Sequence, residues 1–288
     1  MLENPEEEIK KILPPKGPSV SEVKKYLKKY RDEYIVIKCG GSVLIKEELF
    51  NDFIRDISIL SKLGLVPILI HGGGKKISTK LNESGIKSEF INGLRVTDKI
   101  SMNIVEEVLN LFNKEIVESL KKNHCKSTSV TNNNNNVILV EQEDKKLGFV
   151  GNPVEIKHSI IDQIIKEKKI PVIAPLGLNK EKEVYNINAD TAAGAIAKKL
   201  KARRLIILSD VEGVLDNEKK VISEIDTGII SELIKDGTIN SGMIPKIKNC
   251  LDVANNGVKG VVIIDGRKKH SILFELLSEN GSGTLIRK

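Results

Sequence analysis

A chain of 288 residues with 40% hydrophobic content is long enough to bury a large core, as one big domain or two lobes. Aromatic residues make up only 3%, with no Trp, so that core is built from Ile, Val and Leu, which suit parallel strands covered on both faces. The net charge of +7 is spread among interspersed acids, with no basic arm, zinc-finger spacing or aromatic-studded RNA motif, which argues against nucleic acid and for small anionic ligands.

Residues 1–18 are charged and then broken by Pro14, Pro15 and Pro18, which predicts an irregular arm. Ser19 and Glu22 form a capping-box pair, and Val20, Val23, Leu27, Tyr30 and Tyr34 follow at helical spacing, so a short amphipathic helix precedes the main domain. The first 33 residues are therefore set apart from a domain spanning 34–288. Within it, the β-branched run Ile35-Val36-Ile37 leads into Cys39-Gly40-Gly41-Ser42 and a helix through Leu49, Phe53, Ile57 and Leu60. A second strand, Leu65 to Ile70, leads into His71-Gly72-Gly73-Gly74 and another helix. A long helix is predicted from about Asp98 to Lys122, with Ile104, Val108, Phe112, Ile116 and Leu120 on its apolar stripe. Short strand-like pieces fill 127–150, and the run Asn132 to Asn136 reads as the exposed tip of a hairpin region. Strand signals resume at Ile170–Ala174, Arg204–Leu208 and Gly260–Ile264, with helices near 189–200, 227–236 and 243–256. This alternation predicts an α/β fold with a mainly parallel sheet and two lobes, 34–183 and 184–288, divided near 178–184.

Three widely separated cysteines, Cys39, Cys125 and Cys250, suggest buried thiols in a reducing compartment. No stretch approaches the roughly 18–20 apolar residues of a membrane span, and the acidic N-terminus lacks a signal peptide's apolar region. The expectation is a cytoplasmic protein with no membrane contact.

Two glycine-rich loops each follow a buried strand and precede a helix. Glycine lets backbone approach an anion closely, and the helix start beyond supplies free N–H donors and partial positive charge. Together they specify a phosphate or oxyanion cradle. A P-loop is excluded because Gly74-Lys75 is followed by Lys76, and neither loop has dinucleotide-fingerprint spacing. His71 reads as a structural residue at a strand end.

The string NGLRVTD (Asn92 to Asp98), in order with IKCGGS, HGGG, YNINADTAA, LSDVEGV and SGMIPK, resembles the acetylglutamate kinase family of the amino-acid-kinase superfamily. The resemblance runs from residue 34 to the C-terminus, about nine-tenths of the chain. It implies a three-layer αβα sandwich and transfer of the γ-phosphoryl group of ATP to the γ-carboxylate of N-acetyl-L-glutamate, the second step of arginine biosynthesis. A carboxylate nucleophile is already ionised at neutral pH, so such a kinase needs positive charge and in-line positioning but no general base.

The resemblance assigns the catalytic charges to Lys38 and Lys246, with Asp190 orienting both; Asn188 or Asp190 also suits a helix N-cap. Arg95 offers a planar fork for the substrate's α-carboxylate, and Asn186 a hydrogen bond to its N-acetyl amide. Backbone N–H groups of Gly73 and Gly74 are expected at the reacting carboxylate and phosphoryl group, with Gly40 and Gly41 nearby. ATP is expected against Asp210, Val211, Glu212, Gly213, Val214 and Leu215, at the carboxyl end of a strand, and around Thr238, Ile239 and Asn240. Mg²⁺ is implied by ATP and not by any carboxylate cluster.

Two positions depart from the family pattern. Lys75-Lys76 follow HGGG, where a Pro or small residue is usual, and the Asn tract lies where a substrate-lid hairpin is expected. Arginine-sensitive members also carry an N-terminal helix that interlaces dimers into a hexamer, which implies a homodimer or homohexamer here. The C-terminal segment GRKKHSILFELLSENGSGT resembles their signature at His270, Glu275 and Gly283 and implies arginine as feedback inhibitor. Pro14, Pro15 and Pro18 interrupt the matching N-terminal helix. The alternatives are another amino-acid kinase, acting on aspartate, glutamate or an aminoadipate derivative, or a non-catalytic arginine sensor. Arg95 and Asn186 argue against the first, and intact Lys38, Asp190 and Lys246 against the second.

Overall fold

The computed structural model describes residues 5–239 and 243–288. The irregular arm predicted for the N-terminus contains a helix, α1 (Pro5–Ile12). Proline opens it, Glu6 to Glu8 lie in its first turn and Lys10 and Lys11 in its last, all favourable to the helix dipole, and Pro14 falls beyond its end. Ile9, Ile12 and Leu13 pack on the core, which a helix of this length needs because it is not stable alone. The predicted capping box is present at α2 (Val20–Tyr30): Ser19 Oγ accepts the Glu22 N–H at 3.3 Å, and Glu22 accepts the Ser19 N–H at 3.1 Å.

β1 (Ile35–Cys39) leads through the first glycine loop to α3 (Glu47–Lys62), and β2 (Ile68–His71) through the second to α4 (Gly74–Glu83). A small hairpin, β3 (Phe90–Ile91) and β4 (Leu94–Arg95), precedes the long helix α5 (Lys99–Lys122). Asp98 caps α5 by accepting the Ser101 N–H at 2.7 Å. Then come β5 (Ser127–Val130), β6 (Ile138–Gln142), β7 (Gly151–Ile156), α6 (His158–Lys166), β8 (Ile170–Ile173), β9 (Leu176–Leu178) and β10 (Val184–Asn186). The rest comprises α7 (Ala189–Leu200), β11 (Arg204–Ser209), β12 (Glu224–Asp226), α8 (Ile230–Lys235), α9 (Ile244–Asn255), β13 (Val261–Asp265), α10 (Ser271–Leu277) and β14 (Gly283–Arg287).

The main sheet runs β12-β14-β13-β11-β1-β2-β8-β5, parallel throughout except where β13 meets β14. Strand alternation divides its side chains between two cores. Ile35, Ile37 and Cys39 face α3, α5 and α10, whereas Val36, Leu205 and Ile207 face α6, α7 and α9. Helices thus cover both faces, which gives the three layers expected. β10, β9, β6 and β7 form a second, four-stranded sheet. Cys39, Cys125 and Cys250 are all buried and free. Among the described residues, no helix is long and apolar enough to cross a membrane.

The Asn tract is not a hairpin tip. It links β5 in the main sheet to β6 in the second, and the β6–β7 turn lies later, closed by Glu143 N–H to the Val150 carbonyl at 2.8 Å. Asn132 is buried because its amide donates to Glu106 at 2.7 Å and accepts from Asn110 at 3.2 Å, docking the tract on α5.

Ile37 sits fully buried in the central strand, so Ile37→Ala should lower the unfolding free energy in urea by about 2–5 kcal/mol. Exposed Val154→Ala should stay within about 0.5 kcal/mol.

Candidate active site

The two glycine loops meet at the carboxyl ends of adjacent strands β1 and β2, where α/β sheets leave a crevice. The Gly72 N–H donates to the Cys39 carbonyl at 2.8 Å and ties one loop to the other. Gly41 has φ +64°, and a Cβ there would stand 2.6 Å from Asp210 Oδ1. That crowding has a cause: Ser42 donates to the same oxygen from its backbone N–H at 2.9 Å and its hydroxyl at 2.6 Å. Burial alone would raise the Asp210 carboxyl, but these two bonds, with Lys75 and Arg267, hold it below its ordinary value. At Gly40 a Cβ would lie 2.5 Å from Lys38 Nζ, so glycine clears the path for the lysine.

Lys38 and Lys246 converge on one carboxylate. Lys38 Nζ lies 2.8 Å from Asp190 Oδ1, and Lys246 Nζ lies 2.8 Å from Asp190 Oδ2. Asn188 is the N-cap of α7, accepting the N–H groups of Asp190 at 2.9 Å and Thr191 at 3.2 Å. With the cap supplied by its neighbour, the Asp190 carboxylate is left for the lysines. Small residues bring α7 and α9 together: Ala193 is fully buried, and a Cβ on Gly194 would stand 2.8 Å from Val253. Asn249 on α9 also donates to the Asp190 carbonyl at 3.1 Å. Burial pushes the Asp190 carboxyl up, yet the two ammonium groups and their hydrogen bonds outweigh it and hold it at about 2.

Across the crevice, Arg95 is buried on β4 and stacks 4.7 Å above the Phe90 ring. Its guanidinium donates to Ser88 Oγ, to the Gly74 carbonyl at 3.0 Å and to Ser78 Oγ at 2.8 Å. Burial lowers its pKa from the ordinary value, without threatening its charge. Lys38, Gly40, Gly41, Gly73, Gly74, Arg95, Asn186 and Asp190 line one cavity of about 220 Å³, and Lys246 joins through Asp190.

Other predicted residues lie outside that cavity. Asp210 reaches the glycine loop through Ser42, whereas Glu212 pairs with Lys268 at 2.8 Å. Gly213 packs on Thr284, whose hydroxyl accepts the buried Val214 N–H at 2.8 Å, while Val211 and Leu215 are partly exposed. Thr238 N–H closes a turn on Asp236 at 2.9 Å, and Ile239 is buried. Asn240 lies outside the described residues. Glu275 and Gly283 line a separate cavity of about 420 Å³ with Tyr26, Lys29 and Tyr30 of α2. His270 does not line it; its ring meets buried Asp56 on α3 at 2.7 Å. Lys75 approaches Asp210 at 3.9 Å, and Lys76 lies 4.2 Å over the Phe112 ring, so both lysines line a neighbouring cleft. Sequence reasoning missed Ser42, Ser78, Ser88 and Asn249, single polar residues whose partners lie on other elements.

Residues 33–265 match the model of the amino acid kinase family. The acetylglutamate kinase of Pelagibacter ubique is 64% identical over 283 residues, 98% of each chain. That of Campylobacter fetus subsp. fetus is 46% identical, covering 91% of this chain and 94% of its own. Among solved structures, the N-acetylglutamate synthase of Neisseria gonorrhoeae, complexed with coenzyme A and N-acetylglutamate, superposes with a TM-score of 0.84 over 93% of this chain. At 22% identity it is a likeness of fold alone, and the chain spans 62% of the synthase's length.

Asp190→Asn tests the electrostatics of the lysine pair. The folded carboxyl sits at about 2 against 3.8 when free, so its stabilisation is full above about pH 4 and is lost as pH falls through 2. The variant should lose roughly 2 kcal/mol at pH 7, with the gap to wild type closing below pH 4. Urea titrations at pH 7 and pH 3 check this; a gap that ignores pH contradicts it.

Proposed function

The chain belongs to the amino acid kinase family and, within it, to the acetylglutamate kinases, and on that premise we propose that it phosphorylates the side-chain carboxylate of N-acetyl-L-glutamate with ATP. The observation that carries the reading is the lysine pair on Asp190, set beside two glycine loops.

In the proposed reaction a γ-carboxylate oxygen attacks the γ-phosphorus of ATP. The bond to the β,γ-bridging oxygen breaks, and ADP leaves with the electron pair. The product is an acyl phosphate, with no proton to move at the nucleophile. Lys38 and Lys246 neutralise the charge on the phosphoryl group, one toward the attacking carboxylate and the other toward the leaving β-phosphate. Asp190 holds both in place. The first N–H groups of α4 have no acceptor within their own helix, so Gly73 and Gly74 can donate to the same oxyanions. Arg95 takes the substrate's α-carboxylate, and Asn186 its N-acetyl amide. The nucleotide extends toward Asp210 to Leu215, where partly exposed Val211 and Leu215 offer apolar surface, and toward 238–240. Mg²⁺ would arrive on the phosphates and offset their charge.

Arginine is proposed as a feedback inhibitor in the cavity between α2 and α10. Glu275 is half-buried there, desolvation raises its pKa, and its carboxylate accepts the Ser282 N–H at 3.0 Å. Glu224 and Glu279 share the lining with Lys29, Arg204 and Arg287, and Glu224 is paired with Arg287, which leaves Glu275 to meet a guanidinium. Glu22 of the α2 capping box also accepts the Glu279 N–H at 3.2 Å, joining helix to loop.

Trapping with hydroxylamine should yield the hydroxamate of acetylglutamate from ATP and acetylglutamate, and turnover only on free glutamate contradicts the assignment. Lys38→Ala and Lys246→Ala should each lower kcat by about 10²-fold or more, and wild-type rates in either reject the mechanism. Arg95→Lys should raise KM for acetylglutamate about tenfold, as a point charge replaces a fork. Glu275→Gln should raise the arginine concentration for half-inhibition by about tenfold; an unchanged arginine dependence rejects that site.

A further inference from the structure

His71 is the last residue of β2, and its ring is completely buried beneath the glycine loop that it introduces. Its neighbours fix where its proton sits. Asn113 Nδ2 lies 2.9 Å from the Val172 carbonyl, and a carbonyl can only accept, so this is the amide nitrogen. The second hydrogen on that nitrogen faces His71 Nε2 at 3.1 Å. Nε2 therefore accepts and carries no proton. Asn113 Oδ1 accepts the Ser129 hydroxyl at 2.6 Å, which completes the amide's set of partners. The ring proton is then on Nδ1, 3.0 Å from the Gly72 carbonyl, again an atom that only accepts. Phe112 closes the side of the ring, edge-on at 5.3 Å. A second ring proton would set two N–H groups against each other at Asn113. In agreement, burial pushes the imidazole down to about 4, despite the bond to Gly72.

The bond to Gly72 has a stereochemical consequence. In a trans peptide the C=O and the following N–H point in opposite directions, and no cis peptide occurs among the described residues. Gly72 is held at both ends, by its N–H on the Cys39 carbonyl and by its own carbonyl on His71. The Gly73 N–H is left on the side away from the ring, and Gly73 itself lines the cavity with Lys38 and Asp190. A free peptide at this point could rotate and present the carbonyl oxygen, an anion-repelling group, to the same space.

We infer that His71 is a positioning residue: its Nδ1–H holds the Gly72 carbonyl and so aims the Gly73 N–H at the anion handled in the crevice. The role of that anion as the phosphoryl group or the reacting carboxylate rests on the proposed kinase activity. Asn113, Ser129 and Val172 then form the chain of bonds that keeps the ring in the required tautomer.

Two substitutions separate this role from simple core filling. Asn places its amide nitrogen near the site of Nδ1, and Gln places its own near Nε2. His71→Asn keeps a donor for Gly72, whereas His71→Gln keeps a polar group toward Asn113 and loses that donor. His71→Gln should lower kcat about ten- to hundredfold, with KM for acetylglutamate and ATP within about threefold of wild type. His71→Asn should retain kcat within about threefold, and urea midpoints should show both variants folded. Equal losses in the two variants, or wild-type kcat in His71→Gln, overturn the inference. Because either variant can fail to fold, ¹⁵N-histidine NMR of the wild-type chain at pH 7 is the second measurement. A protonated Nδ1 with a bare Nε2 at His71 supports the inference, and the opposite tautomer or an imidazolium overturns it. A wild-type chain that makes no acyl phosphate overturns the activity itself, whereas an active chain with a wild-type-like His71→Gln overturns only the role of His71.

Discussion

Two ammonium groups converge in a crevice walled by glycine backbone only if an anion stands between them, and Asp190 is that anion. Each of its carboxylate oxygens meets one lysine at 2.8 Å. The three side chains come from three elements, β1, α7 and α9, so one carboxylate joins the central strand to two helices behind the sheet. Burial opposes the charge and the lysines restore it, which leaves an acid held at about 2. In the proposed chemistry the same arrangement holds two cations ready before any phosphate arrives, so little reorganisation remains during transfer.

The rest of the site is shaped around keeping backbone and charge in register. Gly40 makes room for Lys38, Gly41 makes room for Asp210, and Gly72 links the two loops. These requirements are steric and conformational, and at Gly40 and Gly41 no residue with a Cβ meets them without displacing a charged partner. On the opposite wall, Arg95 is fixed by two serine hydroxyls, a carbonyl and an aromatic face. A guanidinium ordered in advance loses less entropy when it takes up a carboxylate.

Much of this was legible in the sequence because each feature has a local signature. Ile35-Val36-Ile37 and Leu65–Ile70 announce buried strands, and glycines directly after them announce loops that turn into helices. The lysine pair was legible only through resemblance, since Lys38 and Lys246 are remote in the chain and nothing local links them. α1 has a local signature too, since Pro5, Glu6 to Glu8 and Lys10-Lys11 follow helix-end preferences, but Pro14, Pro15 and Pro18, which suggest an irregular arm, fall just beyond its end. The Asn tract is exposed at Asn133 to Asn135, as its composition suggests, but Asn132 finds Glu106 and Asn110 across the fold, and the tract joins two sheets where a hairpin was expected. Ser78, Ser88 and Asn113 left no signal, because a polar residue's partner on another element has no fixed sequence spacing.

Whether both lysines act on the transferred group while Asp190 holds them is open to direct observation. A crystal structure with ADP, aluminium fluoride, magnesium and acetylglutamate would place a planar mimic of the phosphoryl group in the crevice. Lys38 Nζ and Lys246 Nζ should both lie within hydrogen-bond distance of the mimic or the oxygens flanking it, each still bonded to Asp190. A mimic bound with either ammonium turned away from it and from Asp190 would rule out the paired action of the two lysines.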